Sequence, residues 1–300
     1  MNAPSYDALS GLLADPNSSG ADLLAAAREL RDSFVRSEHL IGLMPDDAPE
    51  VLVAGLERAG AAGVVDAWLE LGRLRAHGAA PWAPYPEHDV GAAIEAYRAA
   101  DRAGSVAGAL GWIRTAYFAR SEPHARAASD RLEQLLAAAP EDPELLLLSG
   151  YLTHQGYGRP RDEAAALRHQ LAAAQRGSHD AAFELSVMYA IGSGVPADQA
   201  ESHRWTLQAA QLGSPRAMAN LGGMYATGRG VDPNPAVALD WYTKAADAGH
   251  AKGAYTAGLM CLIGDGGLPI DKDRAATHFA RADELGFEVD ASLEAMGLHR

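Results

Sequence analysis

The sequence predicts an all-α fold, a solenoid of antiparallel helix hairpins, and three observations carry that prediction. Eleven residues, LSVMYAIGSGV at Leu185 to Val195, return almost unchanged 36 positions later as LGGMYATGRGV at Leu221 to Val231. Ala217, Leu221, Met224 and Tyr225 fall at the spacing of one helix face. Paired glycines, Gly228 and Gly230, then open a polar segment with Pro233 and Pro235 that leads into a second helix.

From the amino terminus, residues 1–60 show helical periodicity at Leu23, Leu24, Ala27, Leu30, Phe34 and Val35 without a repeat signature. They predict a cap or small helical subdomain, with a loop at Met44 to Pro49. Residues 61–142 predict two degenerate hairpins. In the first, Leu71-Gly72 and Gly78 keep the spacing of Leu221-Gly222 and Gly228, and Ala93, Tyr97, Ala99-Ala100 and Gly104 supply the second helix. Between them lies an insertion, HGAAPWAPYPEHDV, His77 to Val90. The second hairpin carries Ala107, Leu110, Gly111 and Trp112, then a helix from Ala125 to Ala139 that stops at Pro140.

Residues 143–287 predict four regular units. Tyr189 aligns with Tyr225, Gly194 with Gly230, Trp205 with Trp241, and Ala209-Ala210 with Ala245-Ala246. Later, Gly258, Met260, Gly264 and Gly266 keep the register, and after one inserted residue so do Ala275, Phe279, Ala282 and Gly286. Earlier, Gly150, Gly156, Gly158, Ala173-Ala174 and Gly177 do the same. Gly150, Ser186, Gly222 and Gly258 form a column of small residues where paired helices should cross. The recurrent Trp and Tyr residues read as filling between units. Residues 288–300 predict a carboxy-terminal capping helix.

The unit from Ala217 to Gly249, with Leu221, Gly222, Met224, Tyr225, Gly228, Gly230, Val231, Trp241, Tyr242, Lys244, Ala245, Ala246 and Gly249, resembles the Sel-like repeat, a longer relative of the tetratricopeptide repeat. The resemblance covers about half the chain and fades toward the amino terminus; residues 105–142 are closer to a plain tetratricopeptide hairpin. It implies a right-handed α/α superhelix that serves as an adaptor or scaffold, with ligands on the concave face formed by the first helix of each pair. Cysteine-rich secreted members of that family clamp each pair with a disulfide, whereas this chain has a single cysteine, Cys261, where the repeat expects Tyr. A buried, inert thiol is the expectation there.

Composition narrows the function. A formal net charge of -14 disfavours phosphate backbones and anionic membrane surfaces, so neither a nucleic-acid partner nor membrane insertion is expected. Residues 1–100 hold 7 Lys plus Arg against 15 Asp plus Glu, while each later hundred holds 9 against 12. The acidic third would steer a basic partner. No secretory pattern opens the sequence and no run reaches the roughly 18 apolar residues of a membrane span, which points to a cytoplasmic protein.

Signatures of chemistry are missing from the sequence. It has no HExxH, zinc-spaced cysteine pair, GxxxxGK[ST], GxSxG or GxGxxG, and the expectation is no enzyme, no cofactor and no metal. The GSG, GRG and GDG triplets recur at inter-helix turns and read as turns rather than phosphate cradles. His179 and His250 fall at corresponding helix starts and read as capping or surface residues.

Positions that change between repeats are free to serve a partner. On the first helices these are Asp180, Arg216 and Lys252; Glu184, Asn220 and Thr256; Val187, Gly223 and Leu259. They predict a protein- or peptide-binding groove, as in an adaptor, a scaffold, or a dedicated-partner binder such as an immunity or regulatory protein. Trp82 and Tyr85 in the insertion form a second candidate contact. Rival readings are an enzyme or small-molecule binder using Asp180 and Glu184, and self-assembly through uncapped ends.

Overall fold

Helical periodicity and capping residues together divide the chain into sixteen α-helices, with no strand among the described residues. The structure, a computed structural model, describes residues 4–36, 45, 47–77 and 89–299. Contacts group them into two compact units: Met1–Ala138 with Tyr157–Pro160, and Ala139–Gly156 with Arg161–Arg300.

The first unit contains α1 (Pro4–Ala14), α2 (Gly20–Arg36), α3 (Ala48–Ala61), α4 (Val65–His77), α5 (Val90–Arg102), α6 (Val106–Phe118) and α7 (Glu122–Ala138). Leu9, Leu23, Leu30, Leu52, Leu56 and Leu71 meet in one apolar core. The expected loop at Met44 to Pro49 ends earlier than the sequence suggested: Met44 lies outside the described residues, and Pro49 sits inside the first turn of α3. Proline is accommodated there because its missing N–H would have no intrahelical partner anyway.

Two carboxylates, buried Glu70 and half-buried Asp101, tie this unit together. Glu70, only 8% exposed, accepts hydrogen bonds from Arg28 and Arg31 and so fastens α2 to α4. Asp101 accepts from the Trp112 indole at 3.0 Å and from Arg131 at 2.6 Å, joining α5, α6 and α7. The Tyr97 ring lies flush against the helix backbones at Gly72 and Gly111, where an added Cβ would come within 2.6 Å of it. Turn residue Tyr157 completes the unit by donating its hydroxyl to the carbonyls of Ala116 and Ser121, at 2.9 and 2.7 Å.

The second unit holds α8 (Pro143–Gln155), α9 (Glu163–Gln175), α10 (His179–Ile191), α11 (Gln199–Gln211), α12 (Pro215–Thr227), α13 (Pro235–Asp247), α14 (Ala251–Ile263), α15 (Lys272–Glu284) and a short α16 (Val289–Glu294). These form four A/B hairpins, α8–α9, α10–α11, α12–α13 and α14–α15. Every A helix starts on a side-chain cap: Asp142, Ser178, Ser214 and His250 each accept from a backbone N–H of the first turn. Asp162, Asp198, Asn234 and Asp271 cap the B helices in the same way. His250 is thus itself a cap, whereas His179 is the first helical residue after the cap Ser178; the two are one position out of register.

The glycine pair of each turn has separate tasks. Gly228 ends α12 in the left-handed region at φ 73°, where a residue with a Cβ is strained by roughly 1 to 2 kcal/mol. Gly194 brings the next turn against the preceding B helix: its N–H donates to Glu163 at 2.9 Å, and a Cβ would lie 2.7 Å from the Glu163 carbonyl oxygen. The GSG, GRG and GDG triplets therefore lie in the A-to-B turns.

Within the hairpins the small-residue column faces the B helix. An added Cβ on Gly222 would stand 2.8 Å from the Tyr242 ring, and on Gly258 2.6 Å from the Phe279 ring. Cys261 is buried, and burial pushes its thiol above the ordinary range, so it packs as a small apolar group.

Candidate functional site

The nine variable positions of α10, α12 and α14 recur at i, i+4 and i+7, so each helix presents them on one side. Arg216, Lys252 and Val187 are exposed; Asp180, Glu184, Asn220, Gly223, Thr256 and Leu259 are half-buried. Ile191, 69% exposed, and Ile263, 45% exposed, extend the same side by one turn. Leu74, Trp112 and their neighbours in the first unit are by contrast buried core. Trp82 and Tyr85 lie outside the described residues.

Side chains from successive A helices meet here. The Tyr151 hydroxyl of α8 donates to the Glu184 carboxylate of α10 at 3.2 Å. Burial holds the Glu184 carboxyl above the usual carboxylate range, while that hydrogen bond and the Arg216 charge pull it down. Burial and the neighbouring Glu184 and Asp180 charges push the Tyr151 phenol far up, so it stays protonated and donates. From α12 the Arg216 guanidinium reaches over the Phe183 ring of α10, 4.5 Å from its centroid. Asp180 has His179 as its neighbour at 3.3 Å.

At the start of α14, the His250 Nδ1 accepts from the Gly253 N–H at 2.9 Å. Burial, with Arg216 and Lys252 nearby, lowers the pKa of that imidazole, so it is held neutral and able to accept. Asp180 and Glu184 come together; Asn220 and Thr256 are uncharged, and the Thr256 hydroxyl donates back to the Lys252 carbonyl at 2.8 Å. Tyr151 and Phe183 belong to the site without having been singled out from the sequence, and His250, read there as a capping or surface residue, joins them as a cap. Extending the Val187, Gly223, Leu259 column one unit toward the amino terminus lands on Tyr151, so the period itself contained that residue.

In chemical terms the face offers two carboxylates, two cations, a phenol donor and exposed aliphatic groups. No group of three or more potential metal ligands converges among the described residues. No helix of the described residues is long and apolar enough to cross a membrane.

Comparison with known proteins places this geometry. The family described as Sel1 repeat matches residues 145–178, 179–214, 215–250 and 251–287. No curated protein matches the chain. A Sel1 repeat protein from Oxalobacter formigenes of known crystal structure is 24% identical, with a TM-score of 0.58 over 97% of this chain and 85% of that one. A protective antigen of uropathogenic Escherichia coli displaying an SLR fold is 23% identical, with a TM-score of 0.49 over 91% of this chain and 56% of that one. An immunity protein from Pseudomonas aeruginosa is 15% identical, with a TM-score of 0.45 over 86% of this chain and 81% of that one. The four matched repeats coincide with the four hairpins α8 to α15, and through residues 145–287 the chain belongs to the Sel1-like repeat family.

Proposed function

We propose that this protein is a non-enzymatic interaction module whose A-helix face, over α10, α12 and α14, binds a protein or peptide. Sel1 repeats commonly mediate protein–protein interaction, and the chain carries four of them. The observation that carries the reading is a contrast within each repeat. Positions facing the partner helix keep their character, as at Gly222 and Gly258, while positions on the outer side change chemistry from Asp180 to Arg216 to Lys252. Stacking constrains the first set and leaves the second free to suit an external partner. A pre-formed helical face loses little conformational entropy on binding, so affinity follows from a modest set of contacts.

The test is affinity capture from the native organism's lysate, comparing wild type with Arg216→Glu/Lys252→Glu, with matched circular dichroism. A photo-crosslinker at Val187 identifies what touches the face. Capture and crosslinking that disappear together in the folded double variant support the module. Equal capture by both proteins, without crosslinking from Val187, removes this face from the proposal.

A further inference from the structure

The charges of this face are arranged differently from those on the rest of the second unit. Of the B helices, α11, α13 and α15 each carry an ion pair within the helix: Arg204 with Glu201 at 2.6 Å, Lys244 with Asp240 at 2.7 Å, Arg281 with Glu284 at 3.0 Å. Along the A helices, Glu184, Arg216 and Lys252 form no ion pair among the described residues. Arg216 does not turn toward Glu184; its guanidinium lies on the Phe183 ring. The sign of charge instead changes along the stack, with Asp180 and Glu184 on α10 and Arg216 and Lys252 on α12 and α14.

Charges without an opposite charge beside them depend on solvation, and a half-buried carboxylate has less of it than an exposed one. Glu184 accepts one hydrogen bond, from Tyr151, which leaves acceptor capacity on a carboxylate that has about four lone-pair sites. Val187 and Ile191 border it with exposed aliphatic surface, suited to the methylene stem of a long cationic side chain. On the neighbouring helix, the Arg216 guanidinium is held by Phe183 with N–H donors free to form a fork with an incoming carboxylate.

We propose that the face binds an extended peptide segment in which a Lys or Arg side chain enters between Tyr151, Asp180, Glu184 and Val187, and an Asp or Glu side chain meets Arg216 and Lys252. This deepens the interaction reading above and rests on it. Helices in contact lie about 8–10 Å apart and an extended chain advances roughly 3.3 Å per residue, so charged residues that reach successive A helices are separated by at least about three positions. A uniformly basic segment satisfies α10 but meets repulsion at α12 and α14, and a uniformly acidic segment has the opposite fault. The selected partner is therefore of mixed charge, with order and spacing fixed by the stack.

A displayed library of random dodecapeptides, panned on the wild-type chain and on two folded variants, tests this. On wild type, peptides with a basic residue three or more positions from an acidic one are expected to be enriched severalfold. Asp180→Asn/Glu184→Gln should lose the preference for the basic residue alone, and Arg216→Gln/Lys252→Gln the preference for the acidic one alone. Fluorescence anisotropy on one enriched peptide should show about tenfold weaker binding to each variant. Enriched peptides without the charge pair, or equally retained by all three proteins, overturn the proposal while leaving a binding face intact. A library that yields no binder also overturns it; whether a folded protein still uses the face is then read from the Val187 crosslink.

Discussion

Two neighbouring hairpins solve the same packing problem with different residues. In α12–α13 the crossing is made by Gly222 lying flat against the Tyr242 ring. In α10–α11 the equivalent positions hold Ser186 and Thr206, both buried, with the Ser186 hydroxyl donating to the Phe183 carbonyl at 2.7 Å and the Thr206 hydroxyl to the Ser202 carbonyl at 2.8 Å. Where the A helix gains a side chain, the B helix gives up a ring. Between these two hairpins bulk is thus shifted from the B helix to the A helix, and neither residue of the pair is fixed by itself, as expected where core neighbours pack against each other.

The strongest way to break that balance is to delete a ring. Phe279, 0% exposed, fills the crossing below Gly258, and Phe279→Ala should destabilise the second unit by about 3–5 kcal/mol, since the backbone at a glycine cannot collapse into the space. Urea unfolding followed by circular dichroism measures it; a loss below about 1 kcal/mol would mean that the ring is not what sets the helix separation.

Adding volume is the next largest effect. Gly222→Ala places a Cβ 2.8 Å from the Tyr242 ring, and the clash, partly offset by the better helix propensity of alanine, should cost about 1–2 kcal/mol. The contrast with α10–α11 then makes a sharper claim. In a Tyr242→Thr background the same Gly222→Ala change should cost little or become favourable, giving a coupling of about 1 kcal/mol or more in a double-mutant cycle. Additive effects would show that the Ser186 and Thr206 pair does not arise from shared volume.

These pairs also explain what could be read from the sequence. Helices, turns and the small-residue column were legible because each is imposed by neighbours one period away, so the constraint is written again at every period. Gly150, Gly222 and Gly258 carry it as identity, and Ser186 as a smaller deviation. The outer face was legible only as a set of positions. That Tyr151 would join Glu184, or that Arg216 would lie on Phe183, depends on contacts between helices from different repeats and on residues that occur once. The first unit was hardest for a related reason: the ion clusters at Glu70 and Asp101 join helices through single, non-repeating residues, leaving no period to read.

The smallest expected effect concerns the caps, where the repeats again differ. Ser178 and Ser214 cap α10 and α12 with hydroxyls that do not titrate near neutrality, whereas α14 relies on the Nδ1 of His250. Only the neutral imidazole can accept the Gly253 N–H, and burial, together with Arg216 and Lys252, holds its folded-state pKa below the unfolded value. A depressed pKa means that the unfolded chain takes up the proton more readily. The stabilisation is therefore present above about pH 6.5 and is lost as the pH falls through the folded-state value. His250→Ser exchanges one capping group for another that is common at this position, so stability near pH 8 should change by less than about 1 kcal/mol. Its signature is in the slope: between about pH 7 and 5 the variant should lose less stability than wild type, because the serine cap has no proton to gain. Parallel pH dependences would mean that His250 caps α14 without its charge state mattering.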